Sequence, residues 1–144
     1  MARYSVKHSK TSGAAAAWLA GLRCPSTSGA RLWELHVFAE SAAAGTVELR
    51  RITAAGAGTA TSVTPTAEDV SAGAATVLVD TAFATSVPAA TGVAIRGYSM
   101  PATIGQGIIW TFPQGLVIPV SGALGIFQTS ATAVAYGLTW VFDQ

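Results

Sequence analysis

The C-terminal segment of the chain alternates between large and small side chains. The large residues are Val134, Tyr136, Leu138, Trp140 and Phe142, and Ala, Gly, Thr and Val lie between them. Because successive side chains of a β-strand point to opposite faces, this alternation predicts a strand with one bulky face and one small-residue face. Both faces are nearly uncharged, so we expect both of them to be covered.

A second alternating segment covers residues 32–41. Its predicted core face consists of every second residue over Trp33–Ala39, and the predicted outer face carries Glu34 and His36. The next segment, 46–53, alternates in the same way. A short Ala-Gly connection joins the two segments, so they are predicted to form a β-hairpin.

The remaining strands are predicted from shorter apolar runs that are bounded by Gly and Pro. Strands are predicted at 91–98, 107–112, 116–118 and 123–128, with a turn at Pro113-Gln114-Gly115. Weaker patterns predict a short helix or a tight strand at 14–22, a long loop at 54–76 with a strand near Thr59–Val63, and a strand or helical turn at 77–83. About eight short strands predict an all-β, jelly-roll-like β-sandwich that forms one domain over residues 1–144.

The shortage of charge indicates that part of the surface is covered by other proteins. Only 10% of the residues are charged and 51% are hydrophobic, whereas typical soluble domains carry about 25% charged residues. Cys24 is the only cysteine, which excludes an intrachain disulfide and fits a reducing cytosol. The apolar run at 14–22 is about half the roughly 20 residues that span a bilayer. We therefore expect neither a targeting segment nor a membrane segment.

Basic residues are concentrated near the N-terminus. Arg3, Lys7 and Lys10 lie within the first ten residues, which contain no acid, and Arg96 is the only Lys or Arg after position 51. This distribution predicts that residues 1–13 form an extended arm whose basic side chains contact an acidic partner surface. The alternative is the solvated end of an ordinary strand. The net charge of +1 is too small to indicate nucleic-acid binding.

The chain has few residues that suit catalysis or metal binding. His36 beside Glu34 is predicted to belong to a solvated strand face rather than to an acid–base pair, and no Cys and His spacing suits zinc. The tryptophans lie in apolar stretches, so core packing or subunit contact is favoured over stacking on sugars. We expect no enzymatic activity, no cofactor and no metal. The predicted anchors of the core or of a subunit interface are Trp33, Trp110, Phe112, Tyr136 and Trp140.

Three segments of the chain resemble small virion structural proteins of tailed bacteriophages. They are Leu32-Trp33-Glu34-Leu35-His36-Val37-Phe38, Thr46-Val47-Glu48-Leu49-Arg50-Arg51, and Ile108-Ile109-Trp110-Thr111-Phe112-Pro113-Gln114-Gly115-Leu116-Val117-Ile118-Pro119. The likeness continues to Phe142, and residues 1–31 lie outside it. Among these proteins the chain most resembles head decoration (cement) proteins. This resemblance implies no catalytic residue in the chain.

The resemblance implies a non-enzymatic subunit that stabilises a phage head by binding the shell of major capsid protein as a homo-oligomer. A trimer is favoured over a dimer, on the capsid exterior of a virion assembled in the host cytoplasm. Nucleic acid and membrane are not expected as partners. Two alternatives stay open, namely a tail, neck or fibre-associated virion protein and a carbohydrate-binding β-sandwich.

Overall fold

The structure, a computed structural model, describes residues 1–52, 61–83 and 90–144. Throughout these residues the regular structure is β-strand, and they contain no helix long and apolar enough to cross a membrane. The strands are β1 (Arg3–Thr11), β2 (Ala17–Arg23), β3 (Ala30–Ala39), β4 (Gly45–Ile52), β5 (Thr61–Val63), β6 (Thr66–Ala67), β7 (Leu78–Ala82), β8 (Ala90–Met100), β9 (Gly107–Ile118), β10 (Ala123–Gln128) and β11 (Ala135–Asp143).

The strands form two antiparallel sheets that pack face to face. The five-stranded sheet has the order β6-β1-β11-β3-β9, and the six-stranded sheet has the order β5-β7-β2-β10-β4-β8. This architecture confirms the predicted all-β sandwich. The predicted hairpin of β3 and β4 is wrong, because the two strands lie in different sheets. The connection between them therefore crosses from one layer to the other.

The bulky face of β11 lies in the core between the sheets. Tyr136, Leu138, Trp140 and Phe142 are all fully buried. β4 contributes Val47 from the opposite sheet, and it is also fully buried. Removing these apolar side chains from water supplies the main driving force for packing the two layers.

A β-bulge in β3 reverses the predicted faces of residues 32 and 33, whereas Leu35, Val37 and Ala39 are buried as predicted. Val141 of β11 pairs with Glu34, and the next residue, Phe142, pairs with Leu32, so Trp33 is an extra residue in β3. One extra residue exchanges the two faces of a strand. Leu32 is consequently buried in the core and Trp33 is partly exposed. The prediction that Trp33 lies on the core face together with Leu35, Val37 and Ala39 is therefore wrong for Trp33.

The predicted turn at 113–115 does not divide two strands. β9 runs on through these residues, although its pairing with β3 passes from Thr111 directly to Leu116. The unpaired residues bulge from the sheet, and the chain then resumes its direction. Gly115 has a φ of 67°, a backbone conformation that a residue without a Cβ adopts without strain.

The N-terminal segment is extended, as predicted, and it forms a strand of the sheet rather than a free arm. β1 pairs with β11 along its whole length, from Arg3 opposite Asp143 to Thr11 opposite Ala135. Tyr4 stacks on Phe142 with the ring centroids 5.8 Å apart. An apolar inner face therefore holds β1 against the rest of the sandwich.

The segments with weak sequence patterns are also strands where the structure describes them. The run at 14–22 contributes β2, and the run at 77–83 contributes β7. Of the strand predicted near Thr59–Val63, residues 61–63 form β5, and residues 59 and 60 lie outside the described residues. Residues 64–76 of the predicted long loop contain only the two-residue strand β6.

Candidate functional site

The basic residues of β1 are divided between the two faces of the five-stranded sheet. Lys7 pairs with Thr139 and lies on the outer face, whereas Lys10 pairs with the buried Tyr136 and takes the inner-face position. Arg3 shares the outer face with Lys7, because odd-numbered residues of β1 point outward. Within the described part of the chain, Lys7 is exposed and makes no ion pair. The sheet therefore separates residues that the sequence predicted as one contact surface.

Arg3 is held by contacts within the molecule. Its Nε donates to Oδ1 of Asp143 at 3.0 Å, and this hydrogen bond raises the pKa of the guanidinium. The indole Nε1–H of Trp33 donates to the other oxygen, Oδ2, at 2.6 Å. The guanidinium carbon of Arg3 also lies 5.4 Å from the centre of the Trp33 ring. The bulge of β3 thus turns Trp33 onto the outer face, where it forms a cluster with the β1 cation.

The other predicted aromatic anchors lie inside the sandwich. Trp110 and Phe112 are 6% and 7% exposed, and Tyr136 and Trp140 are fully buried. The Tyr136 hydroxyl donates to Oε1 of Gln128 at 2.7 Å, and burial raises its pKa to about 12. Rings that are buried in this way leave no face for a sugar to stack on.

His8 is a titratable residue whose inner-face position brings it against the core. Its Nε2 accepts a hydrogen bond from Nε1–H of Trp140 at 3.3 Å, and its Nδ1 is buried without a hydrogen-bond partner. An imidazole that accepts through Nε2 is neutral, with its proton on Nδ1. Burial is the main cause that lowers the pKa of His8, and the nearby charge of Lys10 lowers it further.

Two features of the described residues bear on catalysis or metal binding, namely the pair of His36 with Glu34 and the thiol of Cys24. Nε2 of His36 lies 2.9 Å from Oε2 of Glu34 on the outer face, where the sequence placed this pair. In the ranges that the structure describes, no three His, Cys, Asp or Glu side chains lie together to hold a metal ion. Cys24 is 3% exposed, and burial raises the pKa of its thiol to about 11. That thiol is protonated at neutral pH and is a poor nucleophile.

One side of the sandwich, which we call the open edge, carries most of the large apolar side chains that are exposed among the described residues. It consists of the edge strands β8 and β9 with the loops that follow them. In the described residues, no strand pairs with the outer side of β8 or β9. Seven large apolar side chains are exposed among all the residues that the structure describes, and five of these seven lie on the open edge. These five are Val93, Ile104, Ile109, Val117 and Val120.

Arg96 provides the positive charge of the open edge. It extends from β8 across the sandwich, so that its guanidinium carbon lies 5.6 Å from the centre of the Phe112 ring in β9. Its Nη1 donates to the carbonyl oxygen of Ile95 at 2.9 Å. Within the described ranges it has no carboxylate at ion-pair distance. Arg96 and residues 112–116 line a shallow cleft of about 370 Å³.

The opposite edge of the five-stranded sheet ends in a short acidic turn. This acidic turn, residues 68–72, follows β6 and contains Glu68 and Asp69, with Val70 completely exposed. The backbone N–H of Ala72 donates to the carbonyl of Asp69 at 3.0 Å. Asp69 Oδ1 accepts hydrogen bonds from N–H and Oγ of Ser71, both at 2.8 Å. The two hydrogen bonds from Ser71 lower the pKa of Asp69. Together with the bond from Ala72 they stabilise the backbone conformation of the turn.

Comparisons with protein-family models, with curated proteins and with solved structures found no match to this chain. The geometry of the described residues therefore carries the functional argument. The sequence had predicted Arg3, Lys7 and Lys10 as contacts, and it passed over Arg96 and Val70. The signal in the sequence that could have identified Arg96 is its isolation, because it is the last basic residue of the chain. Val70 becomes a candidate only from the position of β6 at a sheet edge.

Proposed function

We propose that this chain is a non-enzymatic structural subunit of a bacteriophage virion, of the head decoration type. In this role it associates with copies of itself, as a trimer, and binds the shell of major capsid protein. The observation that carries the proposal is the open edge, with its five exposed apolar side chains on and beside two long strands.

Uncovered edge strands favour association with other chains. β8 and β9 are 11 and 12 residues long, and β9 contains no charged residue. Soluble monomers usually protect such edges with charges, with bulges or with short strands. Of these devices β9 has the bulge at residues 112–115, and the rest of its length is uncharged. Permanent interfaces between subunits are also more apolar than transient ones. An edge of this kind therefore suits a protein that spends its working life in an assembly.

The choice of a phage shell as the larger assembly rests on the resemblance of residues 32–142 to virion structural proteins. Lys7 supplies the contact chemistry that a shell-binding surface needs, because it is an exposed cation on the outer face of the five-stranded sheet. It attracts an acidic surface on the partner. Lys7 lies on β1, and β11 and β3 separate it from the open edge. Ile109 and Val117 of the open edge share the outer face with Lys7, so shell binding is assigned to the β1 side of this face and self-association to its β9 side.

Co-sedimentation with capsid shells tests this function. Shells of the phage that encodes the chain, purified without it, are mixed with the protein and pelleted. We expect the wild-type protein to pellet with the shells and Lys7→Glu to bind at least about tenfold more weakly, since like charges then oppose each other. Lys7→Arg is the matched control and keeps the wild-type affinity. A wild-type protein that stays in the supernatant refutes the proposed function.

Point substitution is preferred here to deletion of the N-terminus. Removing residues 1–10 would remove almost all of β1, which pairs with β11 over nine residue positions. The loss of such a strand exposes the core residue Phe142 that Tyr4 covers. A truncated protein would then lose shell binding through unfolding, whatever its surface does.

A further inference from the structure

Two surfaces of complementary chemistry lie at opposite edges of the five-stranded sheet. β9, at one edge, belongs to the open edge, which carries five exposed apolar side chains and Arg96, whose guanidinium lies over Phe112. β6, at the other edge, leads into the acidic turn. That turn presents Val70, which is 100% exposed, next to the exposed carboxylates of Glu68 and Asp69. One surface is apolar and basic, and the other is apolar and acidic.

We propose that the acidic turn of one copy docks on the open edge of the next copy, with Val70 among its apolar side chains and the carboxylates facing Arg96. This head-to-tail contact rests on the self-association in the proposed function and assigns the residues that carry it. Arg96 stacks on Phe112 and has no acidic partner within the described residues. The planar guanidinium can then bind a carboxylate through its remaining N–H groups.

Hydrogen bonds fix the geometry of the acidic turn before it binds. Three hydrogen bonds within the acidic turn hold its backbone and the Asp69 side chain. The N–H of Glu68 also donates to the carbonyl of Arg3 at 2.9 Å, which ties the turn to β1. A surface that is ordered in advance loses little conformational entropy when it binds. Full exposure of Val70 in the free chain thus has a use in the assembly.

Charge favours this arrangement over a two-fold contact between two open edges. Arg96 lies over Phe112, in the middle of β9. A two-fold axis through that point would bring two guanidinium groups together, and their like charges repel each other. A contact between unlike surfaces avoids this repulsion. Repeated around an axis, a head-to-tail contact closes into a ring, of which the trimer is an example.

Sedimentation velocity of the full chain tests the contact. We expect the wild-type protein to sediment as an oligomer, and both Val70→Ser and Arg96→Glu to sediment near the monomer mass of 14.6 kDa. Val70 is fully exposed in the free chain, so Val70→Ser leaves the thermal midpoint of the monomer unchanged. Lys7→Glu is the matched control for Arg96→Glu, because it reverses the same charge on the outer face and keeps the oligomer.

A charge exchange tests the pairing of the two surfaces directly. We expect Glu68→Lys combined with Asp69→Asn to give monomers, and addition of Arg96→Glu to the same chain to restore the oligomer. Asp69→Asn keeps the side-chain oxygen that accepts the bonds from Ser71. An oligomer that persists in all the variants overturns the head-to-tail contact and leaves the proposed function standing.

Disulfide trapping separates the head-to-tail contact from a two-fold one. We expect Val70→Cys together with Val93→Cys to give covalent multimers on mild oxidation, and either substitution alone to give none. The native Cys24 is 3% exposed and does not interfere. Dimers formed by a single substitution overturn the proposal. A wild-type chain that is monomeric at every concentration overturns this contact together with the oligomeric part of the proposed function. An oligomeric wild-type chain that fails to bind shells overturns the proposed shell-binding function and leaves this contact standing.

Discussion

A half-buried ion pair connects β2 to β7 and offers a direct test of how the six-stranded sheet is held together. Nε and Nη2 of Arg23 donate to the two carboxylate oxygens of Asp80 at 2.8 and 3.1 Å. Ser62 of β5 donates its hydroxyl to Asp80 Oδ1 at 2.5 Å. The Asp80 side chain is 5% exposed, whereas that of Arg23 is 33% exposed. The two charges therefore differ in their access to water.

That difference predicts unequal effects on stability. Arg23→Met leaves the Asp80 carboxylate buried with one remaining hydrogen-bond donor, and breaking a buried pair in this way costs about 3–5 kcal/mol. Asp80→Leu leaves Arg23, which can turn its guanidinium toward solvent, so we expect a smaller loss of about 1–2 kcal/mol. The double variant replaces the pair by apolar side chains and should lie within about 1 kcal/mol of the wild type.

Urea unfolding at pH 7, followed by tryptophan fluorescence, measures the three free energies. The total free energy of unfolding of a domain is about 5–15 kcal/mol, so the loss in Arg23→Met moves the midpoint well outside experimental error. A loss below about 1 kcal/mol in Arg23→Met refutes the reasoning, because it means that the Asp80 charge is solvated. A double variant less stable than Arg23→Met refutes the apolar replacement step.

Three further perturbations test the core and its edges. The pKa of His8 is lowered in the folded chain, so the unfolded chain binds the proton more tightly. The free energy of unfolding is therefore highest above the ordinary His pKa of about 6.5 and falls as the pH drops below it. The urea midpoint should be lower at pH 5 than at pH 7.5, and His8→Gln should reduce this difference. Trp140→Ala empties a fully buried site and should cost about 3–5 kcal/mol in thermal or urea unfolding; an unaltered midpoint would contradict its burial. A Cβ at Gly107 would lie 2.2 Å from the Val37 carbonyl oxygen, so Gly107→Ala should lower the thermal midpoint, while Gly13→Ala, with open space around it, should not.

Local alternation was enough to predict most strands and the faces of β11. Each bulky residue of β11 adds to the same inner face, and Tyr136, Trp140 and Phe142 are fully buried there. The same reasoning failed at Trp33, because a bulge depends on how β3 pairs with β9 and β11. Pairing partners are distant in sequence, and alternation within one strand carries no information about them.

Connections and exposure were harder to predict for the same reason. The short link after β3 resembles a hairpin turn, yet β4 pairs with β8 and β10 in the other sheet. Arg96 and Val70 become candidates only once β8 and β6 are known to be edge strands. The strand order is set by packing of the whole chain. The same local sequence can therefore occur on an edge strand or on a central strand, and the sequence alone does not tell the two apart.

The separation of the two proposed surfaces has a physical consequence for shell binding. Within the described residues, the outer-face surface offers few free cations, since Arg3 is bonded to Asp143 while Lys7 is exposed and unpaired. Contacts of this kind in water contribute little singly and weaken as salt is added. The proposed ring, built through the acidic turn and the open edge, presents several such faces at once. Once one copy is bound, the others meet the shell at a high effective concentration, and their weak contacts multiply. In the proposed assembly, self-association therefore supplies the affinity for the shell that a single Lys7 contact lacks.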